Sequence, residues 1–264
     1  MKHMDERKDE LIFVRHIEEL AKSAYYKGIN VYSDYLDLAG LGLFHRMKKD
    51  EFPVPYSLYG GFLGAERVKV GFHGSMEGSG EIPPDDFRND YPIRMVQIRP
   101  SNIKFAENLT HRDYLGAILN LGIDRDKTGD ILFAEDAVYL SCDPVIADFL
   151  CENLTRVRHT AVRAALSDQS GALPARATLT LHANVASPRL DAVVGAAFQA
   201  SRSSMSGLIC GGKVFVNGRE TMQGSYMLKT GDVVSVRGYG KFRYAGQGSM
   251  TKKGRLNITL EKYV

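Results

Sequence analysis

Apolar residues at Leu190, Val193, Val194, Ala197 and Phe198 recur at i, i+3, i+4, i+7 and i+8, which predicts a helix with one face committed to a core. Ser201 is placed to cap a second short helix, with Arg202 at its exposed start and Met205, Leu208 and Ile209 on its buried side. Gly211-Gly212 ends that helix, because glycine accepts φ > 0 without a Cβ clash. Beyond it the period changes from helix to strand. Lys213-Val214-Phe215-Val216 reads as a strand, Asn217-Gly218 as a two-residue hairpin turn, and Gly231-Asp232 as the turn into Val233-Val234-Ser235-Val236.

Upstream, the stripe Val14, Ile17, Leu20, Ala21, Ala24 and Tyr25 predicts a helix over residues 5–27, ended by Gly28. Alternation at Val68, Val70 and Phe72 predicts a strand, and residues 1–84 read as a small α+β domain with Pro83-Pro84-Asp85-Asp86 as the linker after it. The centre opens with a strand from Ile93 to Ile98. Thr110 caps a helix with Asp113 in its first turn and Leu115, Ile118 and Leu119 along it. Short strands follow at residues 131–133 and 137–140. Asp143 caps a further helix with Pro144 at its first position and Val145, Ile146, Phe149, Leu150 and Leu154 directed inward. A strand near Thr160 to Leu166 completes a βαββαβ order, which predicts an RRM-like central domain over 85–182. A stretch containing Ser, Gly and Pro at 167–175 and a strand at 177–182 lead into the C-terminal module, 183–264. The fold class is α+β in three domains.

Charge sharpens this division. From Pro188 to Val264 there are 12 Lys+Arg and 4 Asp+Glu, a balance of +8, which leaves 22 basic and 27 acidic side chains, or −5, upstream. A positive module on a slightly negative body suits a polyanion, because phosphate contacts supply most non-specific affinity for nucleic acid. A solvated basic surface would show the same excess. The ordered motif favours the ligand. With 44% hydrophobic residues in 264 the chain can build packed cores. The charged start MKHMDERKDE lacks the features of a signal peptide, and no apolar run approaches the ~18 residues of a membrane span, so a cytoplasmic protein with no membrane partner is expected. Cys142, Cys151 and Cys210 form no CxxC pair and the seven histidines are scattered, so neither a disulfide framework nor a metal site is expected.

The segments RLDAVV, SRSSMSGLICGGKVFVNG and SYMLKTGDVVSVRGYGKF together resemble the S-four RNA-binding domain, or alpha-L motif, over about 60 residues. Upstream, YGGFLGAERVKVGF (59–72), PIRMVQIRPSN (92–102) and HRDYLGAILNLGIDRDKTGDILF (111–133) resemble the YlmH family of bacterial RNA-binding proteins. The resemblance implies an RRM-like centre and a C-terminal S-four domain that engages 23S rRNA and tRNA on the large ribosomal subunit, in ribosome-associated quality control of stalled chains. DNA is not an expected partner.

Three motifs suggest chemistry and fall short of it. Gly207 to Lys213 approaches a P-loop, but Val214 stands where Ser or Thr should hold magnesium, and the segment runs from helix to strand. Arg237 to Tyr244 opens like the aromatic RRM signature and departs from it at Lys241 and Phe242; as a basic hairpin it can still touch RNA. Arg189-Leu190-Asp191 resembles the start of a pseudouridine synthase motif, which Ala192 to Gly195 breaks. Asp191 then serves the helix dipole, orients Arg189 or receives an RNA donor. No nucleophile and base constellation is apparent, so no catalytic residue, cofactor or metal ligand is expected. RNA contacts are expected from Arg189, Asp191, Ser201, Arg202, Ser203, Lys213, Asn217, Arg237, Lys241 and Arg243, the six cations among them forming one positive face. An RNA-modifying enzyme with its site in the first 182 residues, and a protein-binding adaptor, are the alternatives.

Overall fold

The computed structural model describes residues 2–62, 64–134, 137–167, 178–251 and 254–263. The stretch containing Ser, Gly and Pro at 167–175 lies, apart from its first residue, outside them. The chain forms two compact units, residues 1–175 and 176–264. Among the described residues no helix is long and apolar enough to cross a membrane.

The first unit holds two sheets. Its N-terminal part contains α1 (Lys2–Lys27), β1 (Asn30–Tyr32), α2 (Leu38–Arg46), β2 (Pro55–Tyr59), β3 (Lys69–His73) and β4 (Gly80–Glu81), with sheet order β1-β3-β2-β4. Ile17, Ala21 and Ala24 of the predicted stripe pack with Phe44, Phe52, Tyr56 and Phe72. Helix α2, which the sequence reading did not anticipate, starts where the Asp37 carboxylate accepts from Gly40 N at 2.8 Å.

The central part runs β5 (Arg94–Pro100), α3 (His111–Leu119), β6 (Thr128–Phe133), β7 (Val138–Cys142), α4 (Pro144–Asn153), β8 (Arg156–Val157) and β9 (Thr160–Leu166). The sheet order β6-β7-β5-β9-β8 is antiparallel throughout, so the expected βαββαβ order is present with β8 added at one edge. Local chemistry starts both helices as expected. Asp113 Oδ2 accepts from Thr110 N at 2.8 Å, and Asp143 Oδ1 accepts from Val145 N at 3.1 Å ahead of Pro144. The inward face of α4 follows expectation at Ile146, Leu150 and Leu154 and departs from it at Val145, Phe149 and Ala147. Val145 is 86% exposed and Phe149 42%, while Ala147, Leu150 and Leu154 enter the core.

The two parts of this unit are joined by buried polar contacts, so Pro83-Pro84-Asp85-Asp86 does not separate independent bodies. Lys69 of β3, with 2% of its side chain exposed, donates to Asp143 Oδ2 at 2.8 Å. Asp130 Oδ2 accepts from Glu66 N at 2.6 Å, and Arg67 donates to the carbonyls of Thr128 and Arg125 at 2.8 Å each. These contacts cover part of the central sheet on the side away from α3 and α4. There Met95, Leu132 and Ser141 are buried, at positions that alternate with the core residues Val96, Ile131 and Leu140. Base stacking over the whole face, as an RRM would provide it, is closed off there.

The second unit comprises β10 (Thr178–Val185), α5 (Leu190–Ala197), α6 (Arg202–Cys210), β11 (Val214–Val216), β12 (Arg219–Glu220), β13 (Val233–Val236), β14 (Gly240–Met250) and β15 (Leu256–Tyr263). Its antiparallel sheet has the order β10-β15-β14-β13-β11-β12. Strand β10 pairs with β15 from Thr178↔Tyr263 to Val185↔Leu256. The domain boundary expected at 182/183 therefore falls within β10, a strand of the C-terminal sheet. Leu190, Val193 and Val194 of α5 and Met205 and Ile209 of α6 pack on Val214, Val234, Val236 and Phe242, each buried apolar side chain contributing about 1.5–3 kcal/mol. Asn217 and Gly218 have φ of 49° and 76°, as a tight hairpin turn of the mirror type requires.

Candidate nucleic-acid interface

The six cations expected on a single face fall into two groups. Val214, Val216, Val234, Val236, Phe242 and Tyr244 point to the helices. Strand alternation therefore puts Phe215, Ser235, Lys241 and Arg243 on the opposite side of the sheet. The ladder pairs Val214 with Val236, and one step further Arg237 N donates to Lys213 O at 2.9 Å. Lys213 and Arg237 thus face each other on that side, both open to solvent in part or in full. The Arg237 guanidinium lies 5.0 Å from the centroid of the Phe215 ring, a cation–π contact that holds a flexible side chain over the sheet. Arg243 reaches Glu261 on β15 at 3.6 Å, and Glu220 stands opposite Phe215 at the edge. Four cations and an aromatic ring share this surface with two carboxylates. Like charges directly opposite on neighbouring strands are destabilising, and an anionic ligand removes that cost.

The second group is organised by one carboxylate. Asp191, in the first turn of α5 with 7% of its side chain exposed, accepts from Arg189 Nη2 at 2.9 Å, Arg189 Nε at 3.2 Å and Arg202 Nη2 at 2.8 Å. The Arg189 hydrogen bonds, reinforced by Arg202, outweigh the desolvation that opposes them and hold this carboxyl below the usual carboxylate range. Asp191 is committed to positioning two arginines. Both arginine side chains stay open to solvent, 37% exposed for Arg189 and 59% for Arg202.

Ser201 is the cap of α6, its Oγ accepting from Ser204 N at 3.2 Å and lying 3.1 Å from Ser203 Oγ. Ser203 stands exposed beside Arg202. Asn217 is engaged at both ends of its amide: Nδ2 donates to Asp232 Oδ1 at 2.8 Å and Oδ1 accepts from Val233 N at 2.9 Å. Its role here is to close the hairpin. Phe215 was not among the expected site residues, although strict alternation between Val214 and Val216 already put it on the face away from the core.

A family model described as "Putative RNA-binding domain in YlmH" matches residues 86–170, and one for the S4 domain matches residues 188–234. The chain is 33% identical over 182 residues to the Bacillus subtilis (strain 168) protein named Ribosome-associated protein quality control protein P2, covering 69% of this chain and 69% of that one. Among solved structures, "Cell division protein ylmH from Streptococcus pneumoniae" aligns with 61% of this chain and 92% of its own, at 21% identity and a TM-score of 0.46.

Proposed function

The chain belongs to the YlmH family, and from that premise we propose that it is a non-catalytic RNA-binding protein of the translation machinery. It docks its S4 module on 23S rRNA and an adjacent tRNA of the large ribosomal subunit, in the cytoplasm. The observation that carries this reading is the pairing of two solvent-accessible cations, Lys213 and Arg237, across one ladder, with a guanidinium laid over the Phe215 ring. Guanidinium and ammonium groups hold phosphates by charge and shape with little demand on sequence, and a guanidinium plane held over a ring offers a flat surface for a base. The braced pair Arg189 and Arg202 supplies a second set of phosphate donors whose orientation is set before RNA arrives. The family relative is named for ribosome-associated quality control. Transferred to this chain, that role means holding RNA elements on a subunit with a stalled nascent chain.

The test is the distribution of the full chain among ribosomal particles. Enrichment is expected on large subunits that carry peptidyl-tRNA, over empty large subunits and intact ribosomes, and is expected to be lost in the variant Lys213→Gln/Arg237→Gln. Equal recovery on all particles removes the quality-control reading.

A further inference from the structure

We propose that the central part of the first unit holds a second RNA site, a cleft between α3 and the β8–β9 hairpin in which Arg112, Arg156 and Arg158 grip the phosphate backbone. This rests on the RNA-binding reading above and adds a location that neither the S4 module nor the open face of an RRM supplies. The cleft has a volume of about 520 Å³, within the ~300–1,000 Å³ range of small-molecule sites and roomy enough for a ribose and its phosphate. The three arginines come from different elements, Arg112 from the first turn of α3, Arg156 from β8 and Arg158 from the turn between β8 and β9, and all are exposed. Among the described residues that line it, Asp113 is the one carboxylate. That carboxylate is largely committed elsewhere: its Oδ2 accepts from Thr110 N and Oγ1, and only Oδ1 approaches Arg158 Nη1, at 3.6 Å. The three arginines therefore outnumber the lining's negative charge.

The hairpin that presents two of these arginines is built rigidly and at a conformational cost. Arg156↔Ala161 and Val157↔Thr160 pair across it, Val157 is fully buried, and Glu107 Oε2 accepts from His159 N at 3.1 Å while Glu107 N donates to Thr160 Oγ1 at 3.0 Å. Arg158 has φ of 51°, the left-handed region that glycine or asparagine ordinarily fills in such a turn. A long cationic side chain at that position points to a binding role, because the turn itself would fold more easily without it. Phosphate is the ligand chemistry that suits three separated guanidinium forks, each able to make two parallel hydrogen bonds.

The test uses the full chain and fluorescein-labelled oligo(U), with affinity measured across a KCl series. The variant Arg112→Gln/Arg156→Gln/Arg158→Gln is expected to weaken binding and to flatten the salt dependence by about 0.7 for each phosphate no longer neutralised on a single strand, or about 2 in all. Arg158→Gly alone is expected to lower affinity while the melting temperature holds or rises, since glycine relieves the left-handed backbone. The charge-preserving variant Arg112→Lys/Arg156→Lys/Arg158→Lys is expected to keep most of the slope and lose part of the affinity. An unchanged affinity and slope in the Gln variant overturns the proposal. So does displacement of oligo(U) by poly-L-glutamate at equal charge, abolished by the same variant, which would assign the cleft to an acidic polypeptide. Failure of the wild-type chain to bind large subunits, with oligo(U) binding still sensitive to the cleft, would sink the ribosomal reading and leave the cleft standing.

Discussion

Asp191 accepts from the Arg202 guanidinium at 2.8 Å, tying the first turn of α5 to the first turn of α6 across eleven residues of chain. The same carboxylate holds Arg189. Asp191→Asn keeps the shape and removes the charge, and it is expected to cost about 1 kcal/mol, a modest figure because both arginine side chains are well exposed and screened by solvent. RNA affinity is expected to fall as well, although the substitution makes the module more positive. A rise in affinity would show that charge total outweighs the positioning of the two arginines.

The acid limb carries a separate prediction. The folded-state carboxyl of Asp191 titrates below its unfolded value, near 3.9 for an unperturbed aspartate. Its contribution is therefore complete above the unfolded pKa and is lost as pH falls through the lower folded pKa. Urea midpoints of wild type and Asp191→Asn are expected to differ at neutral pH and to converge in strong acid. A constant difference down the whole range would refute the assignment.

Lys213→Gln/Arg237→Gln is expected to reduce the salt slope for duplex-like RNA by about 0.9 per neutralised phosphate, close to 2 for the pair. Thermal stability is expected to hold or rise slightly, since two like charges facing across the ladder are removed. Isothermal titrations at several ionic strengths would measure the first and calorimetry the second. A steep loss of stability with an unchanged slope would make these residues structural.

Lys69 and Asp143 form a buried pair between the two parts of the first unit. Burial pushes the Asp143 carboxyl up, but the Lys69 and Val145 hydrogen bonds outweigh it and leave it below the usual range. Asp143→Asn retains a capping side chain and strands a buried ammonium group, at an expected cost of about 3–5 kcal/mol. Lys69→Met added to it is expected to recover a large share. Additive losses in this double-mutant cycle would mean that the two groups do not interact.

Gly129→Ala probes the close approach of the N-terminal part to β6. A Cβ there would meet Ser141 Oγ and come within 2.7 Å of the Tyr35 ring, both in a packed environment. Overpacking of this kind costs about 1–3 kcal/mol. Denaturant midpoints are expected to fall accordingly, and a neutral result would mean that Tyr35 withdraws at no cost.

Many of the starts and stops of this fold were legible in the amino-acid sequence, as were the βαββαβ order and the basic character of the C-terminal module. Thr110 with Asp113, Asp143 with Pro144, Ser201 with Ser204, and Asn217 with Gly218 each complete their hydrogen bonds or dihedral requirement within a few residues of chain. Local chemistry is enough to specify such features. What tertiary structure alone decided is which side of each element meets the core and which distant groups come together. The stripe on α4 was compatible with Val145, Phe149 and Leu150 facing inward, and the placement of β5 and β9 kept Leu150 and took Ala147 in place of the other two. Strand β10 found its partner at the far end of the module. The expected positive face divided because strand register assigns successive side chains to opposite sides of a sheet, so Lys241 and Arg243 were directed away from the helices whose ends carry Arg189 and Arg202. Caps and turns are settled by neighbours along the chain. Pairing between strands far apart in sequence is settled by the burial it achieves, and no local pattern contains that information.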